Sequence, residues 1–148
     1  MQIIRFNIDN SPYAAFSNFA PYSVDLDGRH WPTVEHYYQA QKFSDSGLVE
    51  QIRNAPTPGR AKRMGRGTKP RPDWEAIRDD VMYRAVKVKF EQHDRLRELL
   101  VSTDDLELVE HSPHDSYWGD GGNGSGKNML GRILMRVRDE IRASEHSN

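Results

Sequence analysis

Apolar and polar positions alternate weakly in "MQIIRFN" at the start of the chain, the period of a strand with one covered face. In "YSVDLDGRHW" an Asp27-Gly28 pair stands between two short extended pieces, the signature of a two-residue hairpin turn. Beyond Pro32 the period becomes helical. Thr33 is placed to cap a helix running through "VEHYYQAQKF" to residue 43. Further helices are predicted for "LVEQIRNA", stopped by Pro56, for "GRAKRMGR", and for residues 73–92. In the last of these Trp74, Ile77, Val81, Ala85 and Val88 define one buried face. "DRLRELLVST" reads as a helix with Leu96, Leu99 and Leu100 inward, and "LELVE" alternates as a strand. The final helix carries Leu130, Ile133, Leu134, Val137 and Ile141 on one stripe. The pattern predicts an α+β, predominantly helical fold with a small sheet: a single compact domain over residues 1–143 and a short disordered tail at 144–148.

Composition narrows the chemistry. A chain of 148 residues is one domain by size and builds its own core. With no cysteine there is no disulfide framework, thiol nucleophile or cysteine zinc site. His30, His36, His93, His111 and His114 lack a ligand spacing such as HExxH, so neither a metal nor a cofactor is expected, and the histidines read as structural or exposed. No stretch approaches the ~18 apolar residues of a membrane span, and the start lacks a signal-peptide pattern, so a cytoplasmic protein with no membrane partner is expected. The net charge of -1 gives no global field for a polyanion. Charge is nevertheless uneven: "RAKRMGRGTKPR", residues 60–71, holds six Lys or Arg and no acid. Such a run is ordinarily a solvated face, but a small phosphorylated ligand needs only a few of these charges.

"GDGGNGSGKNMLG" places Gly121, four residues, then Gly126 and Lys127, the spacing of a phosphate-cradling P-loop. Asn128 stands where that motif needs Ser or Thr for magnesium. The segment before it, "EHSPHDSYWGD", is polar and turn-rich rather than a buried strand, which argues against a triphosphate site. Glycine amides and the helix start near Asn128 are still suited to holding one phosphate without magnesium, through Gly122, Lys127 and Asn128. The alternative is a flexible connector, which Trp118, Asp120 and Asn128 make a costly choice.

On the first helix Glu35, Tyr38, Gln39 and Lys42 fall at i, i+3, i+4 and i+7, a polar stripe amid Trp31, Tyr37 and Phe43. Taken singly, Glu35 reads as a dipole complement and Lys42 as a surface charge. Together with the aromatics they outline a pocket wall.

The blocks "FSNFAPYSVDLDG" with "WPTVEHYYQAQKF", "AKRMGR" leading to Trp74, "VKFEQH", and "YWGDGGNGSGKNMLG" with "LMRVR" resemble the NADAR family, specifically its YbiA-like N-glycosidases, in the same order over nearly the whole chain. The resemblance implies a mainly helical α+β domain that hydrolyses N-glycosidic bonds of ribose derivatives. Its implied substrates are phosphorylated ribosylamino-pyrimidine intermediates of riboflavin synthesis and ADP-ribose attached to guanine in nucleic acid. Carried over, it points to Glu35, Lys42, Trp74, Trp118 and Asp120 as pocket residues, with Phe16, Ser17, Asn18 and Phe19 lining the same cleft.

Departure of a base from ribose builds positive charge on C1′, so the site needs an anion near the sugar and help for the leaving group. Glu35 or Asp120 would supply the anion and activate water, the other assisting departure. Trp74 or Trp118 suits base stacking. Arg66 in the basic run and the glycine loop would grip phosphate. Lys42 offers another route, attack of a desolvated amine on C1′ of a ring-opened sugar to form an imine. A non-catalytic module binding ADP-ribose or NAD would use the same aromatics and phosphate grip without the carboxylates. A nucleic-acid-binding protein would use the basic run, but the neutral charge balance and the lack of a reading motif weaken that reading.

Overall fold

The computed structural model describes residues 2–9 and 12–146. Its elements run β1 (Ile3–Phe6), a 3-10 turn (Tyr13–Phe16), β2 (Val24–Leu26), β3 (Arg29–Trp31), α1 (Val34–Ala40), α2 (Ser46–Arg53), α3 (Pro58–Arg66), α4 (Trp74–Gln92), α5 (Asp94–Val101), β4 (Glu107–Glu110) and α6 (Met129–His146). The α+β, predominantly helical class expected from the pattern is what the chain adopts. The described residues gather into two compact units, one over Pro21–Lys89 and one from Met1–Ala20 with Phe90–Asn148.

Within Pro21–Lys89, β2 and β3 form the predicted antiparallel hairpin, with Val24 opposite Trp31. Asp27 at φ 55° and Gly28 at φ 77° turn it. A tight turn matching the strand twist needs positive φ at both positions, which Asp and Gly tolerate better than branched residues. Trp31 is buried on the ring of Tyr37, centroids 5.2 Å apart and nearly perpendicular, and its indole N–H donates to the Leu26 carbonyl at 3.1 Å. The Thr33 hydroxyl accepts from the His36 amide at 3.1 Å and caps α1 as expected. Every residue of α1 is buried. The helix packs on α2, capped by Asp45, and on α3, capped by Thr57 with Pro58 in its first turn. It ends at Ala40 rather than continuing to residue 43. Its last turn tightens to i→i+3 bonds, Lys42 N to Gln39 O at 3.3 Å and Phe43 N to Ala40 O at 3.2 Å.

In the other unit β1 pairs in parallel with β4, Ile3 opposite Glu107 and Phe6 opposite Glu110. Phe6 and Leu108 face inward and are fully buried, and Phe16 bridges to Phe6 and Phe90 at centroid distances of 5.7 and 5.8 Å. The stripe of α6 closes this core as predicted, with Leu130, Ile133, Leu134, Val137 and Ile141 all buried. Asn128 ties α6 to the sheet: its amide oxygen accepts from Glu110 N and its amide nitrogen donates to Leu108 O, both at 2.9 Å. The side chain thereby stands in for a further strand along β4.

Three expectations need correction. Residues 144–146 belong to α6, because the helix continues to His146; residues 147 and 148 lie outside the described residues. The buried face of α4 includes Met82, Val86 and Lys89, while Ile77 and Val88 are half-buried. Leu99 of α5 is half-buried as well, leaving Leu96 and Leu100 as the core positions.

Candidate active site

The expected site residues of Pro21–Lys89 come together around α1. Glu35 and Gln39, one turn apart, are 6% and 3% exposed, and the Gln39 amide donates to Glu35 Oε1 at 3.1 Å. Lys42 follows the end of the helix, its Nζ 5.7 Å from the centroid of the Tyr38 ring. Tyr38 also packs on Trp74, 5.1 Å between centroids and tilted by 59°. The Lys42 carbonyl accepts from Arg71 N at 2.7 Å, and Arg71 O accepts from Trp74 N at 3.1 Å, which fixes the entry to α4 against this wall. Trp74 is buried, so it reads first as the back of the Tyr38 ring and second as a stacking face.

Electrostatics concentrate on Lys42. Burial pushes its ammonium pKa down, the Glu35 carboxylate pushes it back up, and the cations Arg66 and Lys62 on α3 push it down again; the balance lies below the ordinary lysine value. Arg66 was expected from the basic run. Lys62 was not singled out, although it stands four residues before Arg66 and so shares its face of α3.

Trp118, Asp120, Gly122, Lys127 and Asn128, with Phe16, Ser17, Asn18 and Phe19, belong to the other unit. Here the loop departs from the expected phosphate nest. Asp120 Oδ1 accepts from Ser112 N at 3.0 Å and Gly122 N at 2.8 Å, and Oδ2 lies 2.9 Å from His111 Nδ1. Its backbone carbonyl takes the amides of Gly124 and Gly126. The amides of Gly121, Lys127 and Asn128 donate to Asp115 O, Ser116 O and Gly119 O, and Ser125 N donates to Asn123. The loop therefore satisfies these donors itself, and the α6 start is closed in the same way by Tyr117 O and Trp118 O. The glycine spacing serves a turn wrapped around Asp120, not an amide cradle. Burial alone would raise the Asp120 carboxyl, but the bonds from His111, Gly122 and Ser112 outweigh it and hold the pKa below the ordinary value. The partner role of His111 carried no sequence signal beyond a lone histidine.

Lys127 and Asn128 do line an open cleft of about 500 Å³ with Arg5 and Arg132, but Glu107, Asp120, Gly124 and Gly126 line it too, so any anion there would face carboxylates as well as cations. Lys127 also lies over Tyr117, 5.6 Å from its centroid. Trp118 packs edge-on to Tyr117 at 5.0 Å. Phe16 is 1% exposed in the aromatic core, a structural residue rather than a cleft lining; the Ser17 hydroxyl accepts from Phe19 N at 3.1 Å and shapes that turn.

Comparison with known proteins agrees with this architecture. N-glycosidase YbiA of Escherichia coli strain K12 is 50% identical over 141 residues, covering 94% of this chain and 88% of that protein. An N-glycosidase of Nostoc punctiforme is 46% identical over 136 residues, 88% of this chain and 87% of its own. A riboflavin biosynthesis protein of Vibrio vulnificus is 45% identical over 148 residues, 99% of this chain but 40% of its own length. The NMR structure of E. coli YbiA superposes with a TM-score of 0.92 at 47% identity, over all of this chain and 90% of that one. A NADAR domain matches residues 5–142, and the chain belongs to the NADAR family.

Proposed function

We propose that this protein is an N-glycosidase that hydrolyses the bond between ribose and an amino group in a phosphorylated ribosyl compound, with Glu35 and Lys42 at the sugar. The observation that carries the reading is a buried carboxylate and a partly desolvated, pKa-lowered amine on one wall, bordered by two further cations. Unlike charges gathered out of water are the usual mark of acid-base or nucleophilic chemistry. Relatives named N-glycosidase support the bond type, and one named riboflavin biosynthesis protein is the reason to try a ribosylamino-pyrimidine as substrate.

These groups carry the reaction through an imine. Transfer of the anomeric N–H proton to the ring oxygen, relayed by Glu35, opens the ribosylamine to an imine at C1′. The neutral Lys42 amine adds to C1′, Glu35 takes up a proton that the lysine nitrogen sheds and passes it to the departing substrate amine, and an imine between C1′ and Lys42 remains. Water then adds to C1′, the Lys42 amine is expelled, and the freed aldehyde recloses to ribose. Overall, one water is consumed for each base released. Lys62 and Arg66 favour the neutral amine and would receive the phosphate. Direct attack by water activated at Glu35 gives the same products without the covalent step.

The experiment is incubation with ADP-ribosylated guanosine and, separately, with a ribosylamino-pyrimidine phosphate, following free base by mass spectrometry. Release from either supports the reading and selects the substrate. Binding of ADP-ribose with release from neither would favour the non-catalytic module.

A further inference from the structure

We propose that Gln39 is a positioning residue for Glu35, and that Gly65 on α3 supplies the space that lets it act; the inference rests on the role given to Glu35 above. The Gln39 amide nitrogen lies 3.1 Å from Glu35 Oε1, with both side chains buried. An ionised carboxylate only accepts hydrogen bonds, so the NH₂ end of Gln39 must face it. That choice sends the amide oxygen the other way, toward α3. There Gln39 Oε1 is buried with no hydrogen-bond partner among the described residues. A buried acceptor without a donor is costly, and a methionine or leucine would fill the same volume without that penalty. A position concerned only with packing gains nothing from glutamine; a position that must present a donor to Glu35 does.

Gly65 is a second feature costly in itself at the same contact. It lies inside α3, is buried, and has no positive φ to explain it. Glycine there destabilises a helix relative to alanine. A Cβ built on it would fall 1.9 Å from Gln39 Oε1 and 2.8 Å from Gln39 Cδ. Because the Gln39 amide is held between Glu35 and the α3 backbone, an added methyl must displace it from the carboxylate. Glu35, Gln39 and Gly65 thus form a relay in which α3 sets the carboxylate on α1 through one side chain. Gln39, expected from sequence as a substrate contact, acts through Glu35 instead.

The test compares Gln39→Met, Gly65→Ala and the double variant, with Glu35→Gln as reference, in turnover, melting temperature and ¹⁵N NMR of the Gln39 side-chain amide. Gln39→Met is expected to keep the wild-type melting temperature and KM while lowering kcat by about 10- to 100-fold. Gly65→Ala should lower kcat similarly, and the double variant should be no worse than either single one, since both break one relay. In Glu35→Gln the Gln39 amide signals should move from their wild-type positions. Wild-type kcat in Gln39→Met beside a dead Glu35→Gln would overturn the relay and leave the proposed function standing. Additive losses in the double variant, or Gln39 signals unmoved in Glu35→Gln, would also overturn it. Full turnover in Glu35→Gln would instead overturn the role of Glu35, and the relay with it.

Discussion

His111 Nδ1 lies 2.9 Å from Asp120 Oδ2, the histidine 42% exposed and the carboxylate 7%, so the ring closes the third side of an acid already held by two backbone amides. Asp120 is the centre of its loop before it is anything else. Asp120→Ala leaves those buried amides without their acceptor and is expected to lower stability by about 2 kcal/mol or more, any loss of turnover appearing together with a lower melting temperature. Asp120→Asn retains one acceptor oxygen and should fall between. The pH dependence follows from the sign of the shift: the folded pKa is depressed, so the stabilisation is present above the unfolded value of ~3.9 and is lost as pH falls through the lower folded one. Thermal melts from pH 7 down to pH 3 check both points, the variant showing the shallower acid limb.

Glu35→Gln separates catalysis from helix electrostatics. As a dipole complement in the first turn of α1, Glu35 would contribute ~0.3–1 kcal/mol of stability and nothing to rate. As the carboxylate at the sugar its removal should cost ~10²-fold or more in kcat with the fold intact. Steady-state kinetics beside a melting curve distinguishes the two.

Lys62 and Arg66 should show their two effects separately. Loss of a phosphate contact in Arg66→Ala is expected to raise KM about tenfold or more with a smaller effect on kcat. The double change Lys62→Ala with Arg66→Ala also removes two cations that lower the Lys42 pKa, so that pKa rises. Because the neutral amine is the reactive form, the limb of the pH–kcat profile that rises with Lys42 deprotonation should move to higher pH. An unmoved limb in the double variant would show that these cations do not act on the reacting amine.

Lys89 on α4 is 1% exposed beneath the ring of Tyr22, and burial brings its pKa down to about 7. The unfolded chain holds that proton up to ~10.4, so between the two values the unfolded state binds more protons and stability rises with pH; below pH 7 the full penalty remains. Lys89→Met removes the titrating group and is expected to flatten the rise of stability between pH 7 and pH 10, which thermal melts across that range check. An unchanged slope in Lys89→Met would mean that this side chain does not titrate in that window.

The elements defined by local chemistry were legible in the chain. Thr33 caps α1, Asp27-Gly28 turns the hairpin, and the α6 stripe is buried throughout, because capping, positive φ and helical period each depend on residues a few positions apart. The polar stripe of Glu35, Gln39 and Lys42 could be found for the same reason. What escaped depends on distant partners. The parallel pairing of β1 with β4 joins strands about a hundred residues apart, and the Gln39–Gly65 contact needs α3 laid against α1. Lys89 occupies a core position that a binary pattern assigns to an apolar residue. The glycine loop misled in a specific way: its spacing allows inward-facing amides, but only the fold shows that Asp120 and neighbouring carbonyls already accept them.

Borohydride trapping during turnover decides whether Lys42 acts covalently. Reduction of the imine would leave a stable ribosyl adduct, and peptide mass spectrometry is expected to place it on Lys42. Lys42→Arg, which keeps the charge but cannot act as the amine, should yield neither adduct nor released base. An active Lys42→Arg enzyme with no trapped adduct in the wild type would rule out the covalent route and leave Glu35 to activate water.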